Sequence, residues 1–205
     1  MQGAGWGGCS AYGAGRLISF SAVVDAVNSV TPLLRTKRLI LRPLALADAP
    51  SLLEARSDPD VMRYWDWPPQ KTSAEVAQIV ADHRALVDEG RVLWWAVLQS
   101  PSGPIIGECD LSDIDRHHRR AELGFLFRRI SWGKGYAREA TETIVNYAFG
   151  PLGMERLYAR IHAGNERARR LLERLGFSYE GMLRSHVWRE GARIDCQMFG
   201  QLRER

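Results

Sequence analysis

The sequence predicts an α+β fold in which helices cover both faces of a mixed, mostly antiparallel sheet of about seven strands. Its 205 residues are 45% hydrophobic, which suits one domain with a sizeable core. Residues 92–128 contain three strand-like segments joined by short or polar connections. Residues 135–201 then alternate helix, strand and helix before two final strands. We therefore expect one folded domain at 34–205, preceded by a loosely ordered extension at 1–33.

Start and stop signals mark the individual elements. Asp48 can cap the first helix of the domain, which has Pro50 in its first turn. Thr72 and Glu75 have the spacing of a capping box, and the helix that they start ends at Gly90. The predicted strands are 38–42, 92–99, 105–111, 121–128, 156–162, 177–187 and 193–201. The predicted helices are 49–57, 72–90, 135–149 and 165–175, with a short one at 21–29 in the extension.

The composition excludes several classes of protein. With 28 Lys and Arg against 24 Asp and Glu, the net charge is only +4, which does not indicate nucleic-acid binding. Cys9, Cys109 and Cys196 lie far apart, which argues against a disulfide framework or a zinc site and fits a reducing cytoplasm. No apolar run reaches the roughly 20 residues of a membrane span, and the pattern of a secretory signal is missing. We expect a soluble, cytoplasmic protein without metal, nucleic acid or membrane partners.

The segment 131–138 has an unusual charge for the start of a helix. It reads Ser-Trp-Gly-Lys-Gly-Tyr-Ala-Arg, and the first acid after it is Glu139. An ordinary helix start has a Ser, Thr, Asp or Asn cap and acids in its first turn, because the exposed N–H groups there are positively polarised. Lys134 and Arg138 instead add positive charge. The pattern indicates a binding site for an anion such as phosphate.

Two glycines in this segment favour the same interpretation. Gly133 and Gly135 allow the backbone to come close to a ligand, so that the N–H groups from Trp132 to Ala137 can donate to it. The alternative is a tight turn between strand and helix that needs glycine for its geometry alone. The spacing of a Walker loop is missing, and the dinucleotide pattern Gly-x-Gly-x-x-Gly is incomplete.

A second segment, about thirty residues further on, completes a family pattern. Residues 165–181 read Asn-Glu-Arg-Ala-Arg-Arg-Leu-Leu-Glu-Arg-Leu-Gly-Phe-Ser-Tyr-Glu-Gly. Together with 131–138, this segment resembles the GNAT superfamily of acyl-CoA N-acyltransferases. The sequences of the two motifs are most similar to those of the RimJ/RimL-type branch. The resemblance extends from residue 35 to 202 and includes the opening at 36–43 and Asp195 near the end.

The resemblance implies acetyl-CoA as co-substrate, with no metal. In such folds the fourth and fifth strands splay apart, the pantetheine arm enters the gap, and the pyrophosphate lies at the N-terminus of the following helix. The residues expected to bind this co-substrate are Leu126, Phe127, Arg129, Trp132, Gly133, Lys134, Gly135, Tyr136, Ala137, Asn165 and Arg170. Ile130 stands where the family motif usually has Gln or Arg. Apart from Arg170, we expect the arginines of 167–174 to form a solvated face.

The resemblance further implies direct attack of an amine on the thioester, with the oxyanion held by a main-chain N–H of the fourth strand. Glu122 on that strand is our candidate for the general base, directly or through a water, although it could also be a structural carboxylate. Asp110 on the neighbouring strand is a rival, and Glu180 could be structural. Many family members have a Tyr general acid where this chain has Leu172, so we assign no acid.

The residues of the acceptor side follow from the same resemblance. Tyr64, Trp65 and Trp67 lie where the RimJ/RimL-type branch commonly builds its substrate wall. Trp94 and Trp95 put at least one indole on the inner face of a strand, and core packing is the interpretation that we favour for them.

The amine acceptor is expected to be an α-amine. Because an α-amine is more often neutral at pH 7 than a lysine, we expect an N-acetyltransferase that acts on protein or peptide N-termini. One alternative is a polyamine or aminoglycoside-like acceptor, which needs an acidic pocket near Asp66. The other is a catalytically silent acyl-CoA-binding sensor. A homodimer is left open.

Overall fold

The computed structural model describes residues 31–204. The predicted extension up to residue 30, with its helix at 21–29, lies outside the described residues. The strands are β1 (Leu34–Arg35), β2 (Ile40–Pro43), β3 (Leu93–Leu98), β4 (Ile105–Asp115), β5 (Arg120–Phe127), β6 (Arg156–His162), β7 (Ser178–Arg189) and β8 (Ala192–Leu202). The α-helices are α1 (Ala49–Arg56), α2 (Pro59–Met62), α3 (Ser73–Asp88), α4 (Tyr136–Phe149) and α5 (Glu166–Arg174). None of these helices is long and apolar enough to cross a membrane.

The strands form one sheet with the order β1-β2-β3-β4-β5-β6-β8-β7. All neighbouring strands are antiparallel except β5 and β6, which are parallel. The predicted α+β fold with a mostly antiparallel sheet is confirmed, and the described residues contain eight strands where about seven were expected. The additional strand is β1, whose two residues are too few to show an alternation in the sequence. The four-residue helix α2 was not predicted for the same reason.

Helices cover both faces of the sheet, as predicted. Residues of α4 and α5 share a core cluster with one face, and residues of α1 and α3 share a cluster with the other. The two tryptophans of β3 point to opposite faces. Trp95 packs edge-on against Tyr147 of α4, with ring centroids 6.0 Å apart, whereas Trp94 contacts His83 of α3 at 5.2 Å. Both indoles are buried, so the prediction that they pack in the core is confirmed.

The starts of α1 and α3 are stabilised in different ways. Thr72 Oγ1 accepts the backbone N–H of Glu75 at 3.2 Å, which confirms the predicted cap of α3. Asp48 directly precedes α1, but its carboxylate does not cap that helix. It accepts two hydrogen bonds from Arg42 and one from the backbone N–H of Ala45. The capping prediction for Asp48 was wrong, because the paired, charge-assisted bonds from a guanidinium take both carboxylate oxygens.

Strands β5 and β6 diverge after only three residue pairs. Their parallel pairing runs from Arg120 opposite Arg156 to Glu122 opposite Tyr158. Beyond this point β5 continues to Phe127 and β6 continues to His162 without pairing to each other. These are the fourth and fifth of the seven predicted strands, and a gap opens between them.

A buried ion pair connects α1 with the sheet. Arg56 Nη2 lies 2.7 Å from Glu108 Oε1 of β4, and the two side chains are 4% and 2% exposed. The Arg56 guanidinium also lies over the rings of Trp65 and Trp94, at 5.8 and 5.6 Å from their centroids. Because the backbone carbonyl of Arg56 accepts the N–H of Gln70, one residue connects α1, the sheet and the segment that follows α2.

We expect Arg56→Met to lower the free energy of unfolding by about 3–5 kcal/mol, because it leaves the Glu108 carboxylate buried without a partner. Urea denaturation followed by circular dichroism measures this change. The matched control is Arg84→Met, which removes an exposed pair with Asp88 and should cost less than about 1 kcal/mol. The double variant Arg56→Met with Glu108→Leu should recover most of the loss. A double variant that is less stable than the single one would contradict this account.

Candidate active site

A cleft of about 1170 Å³ opens where β5 and β6 part. It is bordered by the end of β5, the loop that leads into α4, the first turns of α5, and the residues around α2. The predicted site residues that line it are Tyr64, Trp65, Leu126, Phe127, Arg129, Trp132, Gly133, Gly135, Ala137, Asn165 and Arg170. Trp67, Glu122, Lys134 and Tyr136 were also predicted for the site but do not line the cleft.

The loop before α4 has the backbone shape of an anion site. Gly133 and Gly135 adopt positive φ angles of 75° and 79°, where other residues are strained. Gly135 is the N-cap of α4 and has no side chain to accept the N–H groups of the first turn. These groups therefore keep their capacity to donate to a ligand. The backbone N–H of Trp132 is different, because it donates to the carbonyl of Arg129, so the predicted run of donors begins after it.

Lys134 and Tyr136 contribute to the fold of this loop. The carbonyl of Lys134 accepts a hydrogen bond from Arg38 Nη1 at 3.0 Å, and its own side chain is exposed. The Tyr136 hydroxyl accepts a hydrogen bond from Gln99 at 2.6 Å, and its ring lies under the Arg38 guanidinium at 4.8 Å. Arg38 Nε also donates to Glu139 at 2.6 Å. The only acid in the first turn of α4 is therefore neutralised, which keeps the helix start attractive to anions.

Three arginines of α5 reach the opposite side of the cleft. Asn165 is the N-cap of this helix, and its Oδ1 accepts the backbone N–H of Ala168 at 3.2 Å. Arg167 lies over the Trp132 ring at 4.2 Å, and Arg167, Arg170 and Arg174 all line the cleft. Arg170 was the one arginine of this helix expected at the co-substrate, and the helix turns Arg167 and Arg174, which are exposed, toward the same side.

Arg129 belongs to the rim of the cleft and is already paired. Its guanidinium lies 3.1 Å from Asp58 and 2.8 Å from Asp60, the residues at the start of α2. These pairs hold α2 against the end of β5. Because its charge is compensated by two carboxylates, Arg129 has less charge to offer a phosphate than the arginines of α5 have.

The wall formed by residues 62–67 is fixed by hydrogen bonds to its backbone. Arg189 at the end of β7 donates from Nη1 to the carbonyls of Met62, Arg63 and Trp65, at 2.8 to 3.0 Å. The predicted wall residues Tyr64 and Trp65 line the cleft, whereas Trp67 is 45% exposed and does not line it. Arg189 was not predicted to have a role.

Asp66, in the middle of this wall, is bound to β6. Its Oδ1 is 2.8 Å from His162 Nε2, and its Oδ2 accepts a hydrogen bond from Arg160 at 2.8 Å. Burial alone would raise the pKa of Asp66, but these hydrogen bonds outweigh it and lower the pKa well below its ordinary range. The sequence contained a signal for this cluster. Tyr158, Arg160 and His162 alternate along a strand, which places three polar side chains on one face.

Glu122 lies at the last paired position before the gap. Its side chain is 27% exposed and its Oε1 is 3.9 Å from Arg160 Nε. Burial raises the pKa of Glu122, the charges of Asp113 and Asp66 raise it further, and Arg160 acts against them. A carboxyl group of this kind is able to accept a proton closer to neutral pH than an ordinary Glu.

The rival carboxylates are also distinguished by their surroundings. Glu180 forms a two-pronged ion pair with Arg156, which supports a structural role. Asp110 on β4 lies among other acids, and its pKa is raised to about 7, first by burial and then by the charges of Glu108 and Glu122. Leu172, at the position where many family members have a Tyr acid, is fully buried in the core.

Comparisons with known proteins find acetyltransferases. Residues 38–178 match the family model described as the acetyltransferase (GNAT) domain. The uncharacterized N-acetyltransferase p20 of Bacillus licheniformis is 33% identical over 83% of this chain and 96% of its own length. The spermidine N(1)-acetyltransferase of Escherichia coli K12 is 31% identical over 70% of this chain and 74% of its own length. The crystal structure of spermidine N-acetyltransferase from Vibrio cholerae, in complex with CoA and spermine, has a TM-score of 0.72 at 24% identity, covering 82% of this chain and 97% of that one.

The raised pKa of Asp110 predicts a pH dependence of stability. The folded protein keeps the Asp110 proton up to about pH 7, whereas the unfolded chain releases it near the ordinary value of 3.8. The folded state therefore binds more protons between these values, and its stability falls as the pH rises through them. We expect Asp110→Asn and the wild type to unfold at similar temperatures near pH 4, and the variant to be the more stable at pH 8.

Thermal unfolding by differential scanning fluorimetry across this range measures the effect. The matched control is Asp115→Asn on the same strand, because the pKa of Asp115 is lowered rather than raised. The unfolding temperature of Asp115→Asn should differ from that of the wild type by the same amount at every pH between about 5 and 8. If the unfolding temperature of Asp110→Asn also differed from the wild type by the same amount at every pH, the raised pKa of Asp110 would be contradicted.

Proposed function

The chain belongs to the GNAT acetyltransferase family and is an acyl-CoA-dependent N-acetyltransferase, and from this premise we propose that it acetylates the α-amine of a protein or peptide with acetyl-CoA. The observation that carries the proposal is that a half-buried carboxylate, Glu122, lies where β5 and β6 part, and that the cleft there is bordered by a helix start whose first-turn acid is paired with Arg38. The motif sequences at 131–138 and 165–181 support membership of the RimJ/RimL-type branch.

The residues around the cleft fit the chemistry of acetyl-CoA. The backbone N–H groups after Trp132 and at the start of α4 would hold the pyrophosphate. No atom lies within 4 Å of the position that a Cβ atom on Gly133 would take, so a ligand has room there. The guanidinium groups of α5 would meet further phosphate charge. Leu126 and Phe127 present an apolar surface for the pantetheine arm. When bound, acetyl-CoA supplies the activated acyl thioester, and the protein supplies position and electrostatics.

Glu122 would take the proton of the attacking amine. At pH 7 an α-amine of pKa about 7.8 is roughly 14% neutral, whereas a lysine amine of pKa about 10.4 is roughly 0.04% neutral. The difference corresponds to about 3.5 kcal/mol. A carboxyl group with a moderately raised pKa, such as Glu122, suits the first amine better than the second. A main-chain N–H of β5 beyond Glu122, where pairing to β6 has ended, would stabilise the oxyanion.

No residue is needed as a general acid in this proposal. The buried Leu172 cannot donate a proton to the leaving sulfur. A thiol pKa near 8.5 makes the thiolate a moderate base that can take a proton from solvent or from the positively charged nitrogen of the tetrahedral intermediate, which becomes the neutral amide. The absence of a Tyr at this position is also the argument for the alternative of a non-catalytic sensor, which would bind acyl-CoA without transfer.

A polyamine acceptor is the second candidate, because the Escherichia coli relative is a spermidine N(1)-acetyltransferase. Such an acceptor needs a free carboxylate to bind its distant ammonium group. Asp66 is the acid in the acceptor wall, and both of its oxygens already accept hydrogen bonds from His162 or Arg160. Since Arg63 adds a further positive charge to the wall, the geometry favours an acceptor with a single amine.

We expect the affinity for CoA to fall at least about 100-fold in Gly135→Asp, because a carboxylate would then stand at the helix start where the pyrophosphate binds. Isothermal titration calorimetry measures this change. The matched control is Gly135→Asn, which has the same size and the same cost of a positive φ but no charge. Equal affinities of the two variants would show that charge at this position is irrelevant and would contradict the phosphate site.

We expect peptides with a free α-amine to be acetylated with a kcat/KM at least about 100-fold higher than peptides with a blocked N-terminus and a free lysine. Mass spectrometry of both peptide sets, with spermidine as a third acceptor, tests the proposal directly. A preference for spermidine would replace the proposal by the polyamine candidate. Thiol release that does not depend on any acceptor would support the sensor.

A further inference from the structure

The carboxylate of Asp110 occupies the space where a side chain of β5 would otherwise lie. Asp110 of β4 is paired with Gly124 of β5. A Cβ atom on Gly124 would lie 2.2 Å from Asp110 Oδ1 and 2.9 Å from Oδ2, which no real side chain could do. Glycine at this position therefore allows a carboxylate from the neighbouring strand to lie directly on β5.

This carboxylate is close to the reacting groups of the proposed function. Because side chains alternate along a strand, Gly124 faces the same side as Glu122 and Leu126. Glu122 is the last residue paired with β6, and Leu126 lines the cleft. Asp110 therefore contacts β5 between the candidate base and the apolar surface for the pantetheine arm. No step of the proposed function uses it.

Ser112 connects Asp110 with Glu122. It is the cross-strand partner of Glu122, and such partners on one face have Cβ atoms about 5 Å apart. It lies two residues after Asp110 on the same face of β4, and a hydrogen bond between the two side chains lowers the pKa of Asp110 against the larger effect of burial. Three side chains that can carry protons thus follow one another across two strands.

The surroundings of Asp110 allow its carboxylate to accept and hold a proton near neutral pH. Burial raises its pKa to about 7, and the charges of Glu108 on its own strand and Glu122 on β5 act in the same direction. Arg56 of α1 lowers the pKa, but it is already paired with Glu108. On β3 the residue opposite Asp110 is Trp94, which has no charge.

Resting on the proposed function, we infer that Asp110 receives the proton of the acceptor amine from Glu122 through the hydroxyl of Ser112. The N–H bond of the acceptor ammonium breaks, and its proton goes to Glu122. Glu122 then passes a proton to Ser112 Oγ while Ser112 releases its own to Asp110. Glu122 and Ser112 end unchanged, and the new O–H bond is on Asp110. The nitrogen keeps its electron pair for the attack on the thioester.

The test compares Asp110→Asn and Ser112→Ala with the wild type in kcat/KM for an α-amine peptide, between about pH 5 and pH 9. We expect the wild-type profile to fall on the acid side of about pH 7 and both variants to lose at least about tenfold at pH 8. The affinity for CoA, measured by calorimetry, should not change. The control variant Asp115→Asn, on the same strand, should match the wild type in both measurements.

A second readout does not depend on activity. In protein labelled with ¹³C at the Asp carboxyl groups, one resonance should titrate near pH 7, vanish in Asp110→Asn, and persist in Ser112→Ala. In Glu122→Gln it should titrate at lower pH, because the charge of Glu122 raises the pKa of Asp110. A titration that Glu122→Gln does not change would overturn the inference.

The possible failures can be told apart. If the wild type acetylates no amine, the proposed function fails. If the wild type is active and Asp110→Asn equals it over the whole pH range, only the role of Asp110 is overturned. If Asp110→Asn is impaired while Ser112→Ala is not, the path through Ser112 is overturned. A loss of CoA affinity in Asp110→Asn would mean that the residue supports the fold, which also overturns the inference.

Discussion

The separation of β5 from β6 after Glu122 is the constraint on which the rest of the site depends. Two parallel strands that stop pairing leave main-chain N–H and C=O groups that must find other partners or face a ligand. In the proposed function a main-chain group of β5 would bind the thioester oxygen, whereas β6 remains paired to β8 along its length. The gap thus exists without loosening the sheet, because each diverging strand keeps its outer neighbour.

Keeping the gap at a fixed width requires bonds that cross it. The wall at 62–67 supplies them, since Asp66 is bound to Arg160 and His162 of β6 while Arg189 holds the backbone just before Asp66. At the other end, Asp58 and Asp60 bind Arg129 next to β5. The segment around α2 is therefore attached to both diverging strands. Hydrogen bonds to charged groups are the stronger kind, which suits a wall that must keep a fixed position.

Sequence patterns predicted what depends on local geometry and did not predict what depends on the meeting of distant segments. The caps, glycines and periodicities of α3, α4 and β3 are local, and these elements lie where they were expected. Asp48 was misjudged because no local pattern shows that the turn after β2 brings the Arg42 guanidinium, six residues earlier, onto its carboxylate. The same holds for Asp66, which lies 96 residues from His162 in the sequence. The arginines of α5 were assigned to solvent because no sequence pattern indicates which face of a polar helix borders a cleft.

Positive and negative groups are separated across the site. Guanidinium groups and helix N-termini lie where α4 and α5 begin, whereas Glu108, Asp110 and Glu122 lie on one face of β4 and β5. A polyanionic donor and a cationic amine are then attracted to opposite ends of one gap. Arg56 and Arg160 each neutralise one acid in this row, which leaves the charge of Asp110 to depend on pH. Because an amine must lose a proton before it attacks, a row of acids that is partly protonated at neutral pH can attract the ammonium and still accept its proton.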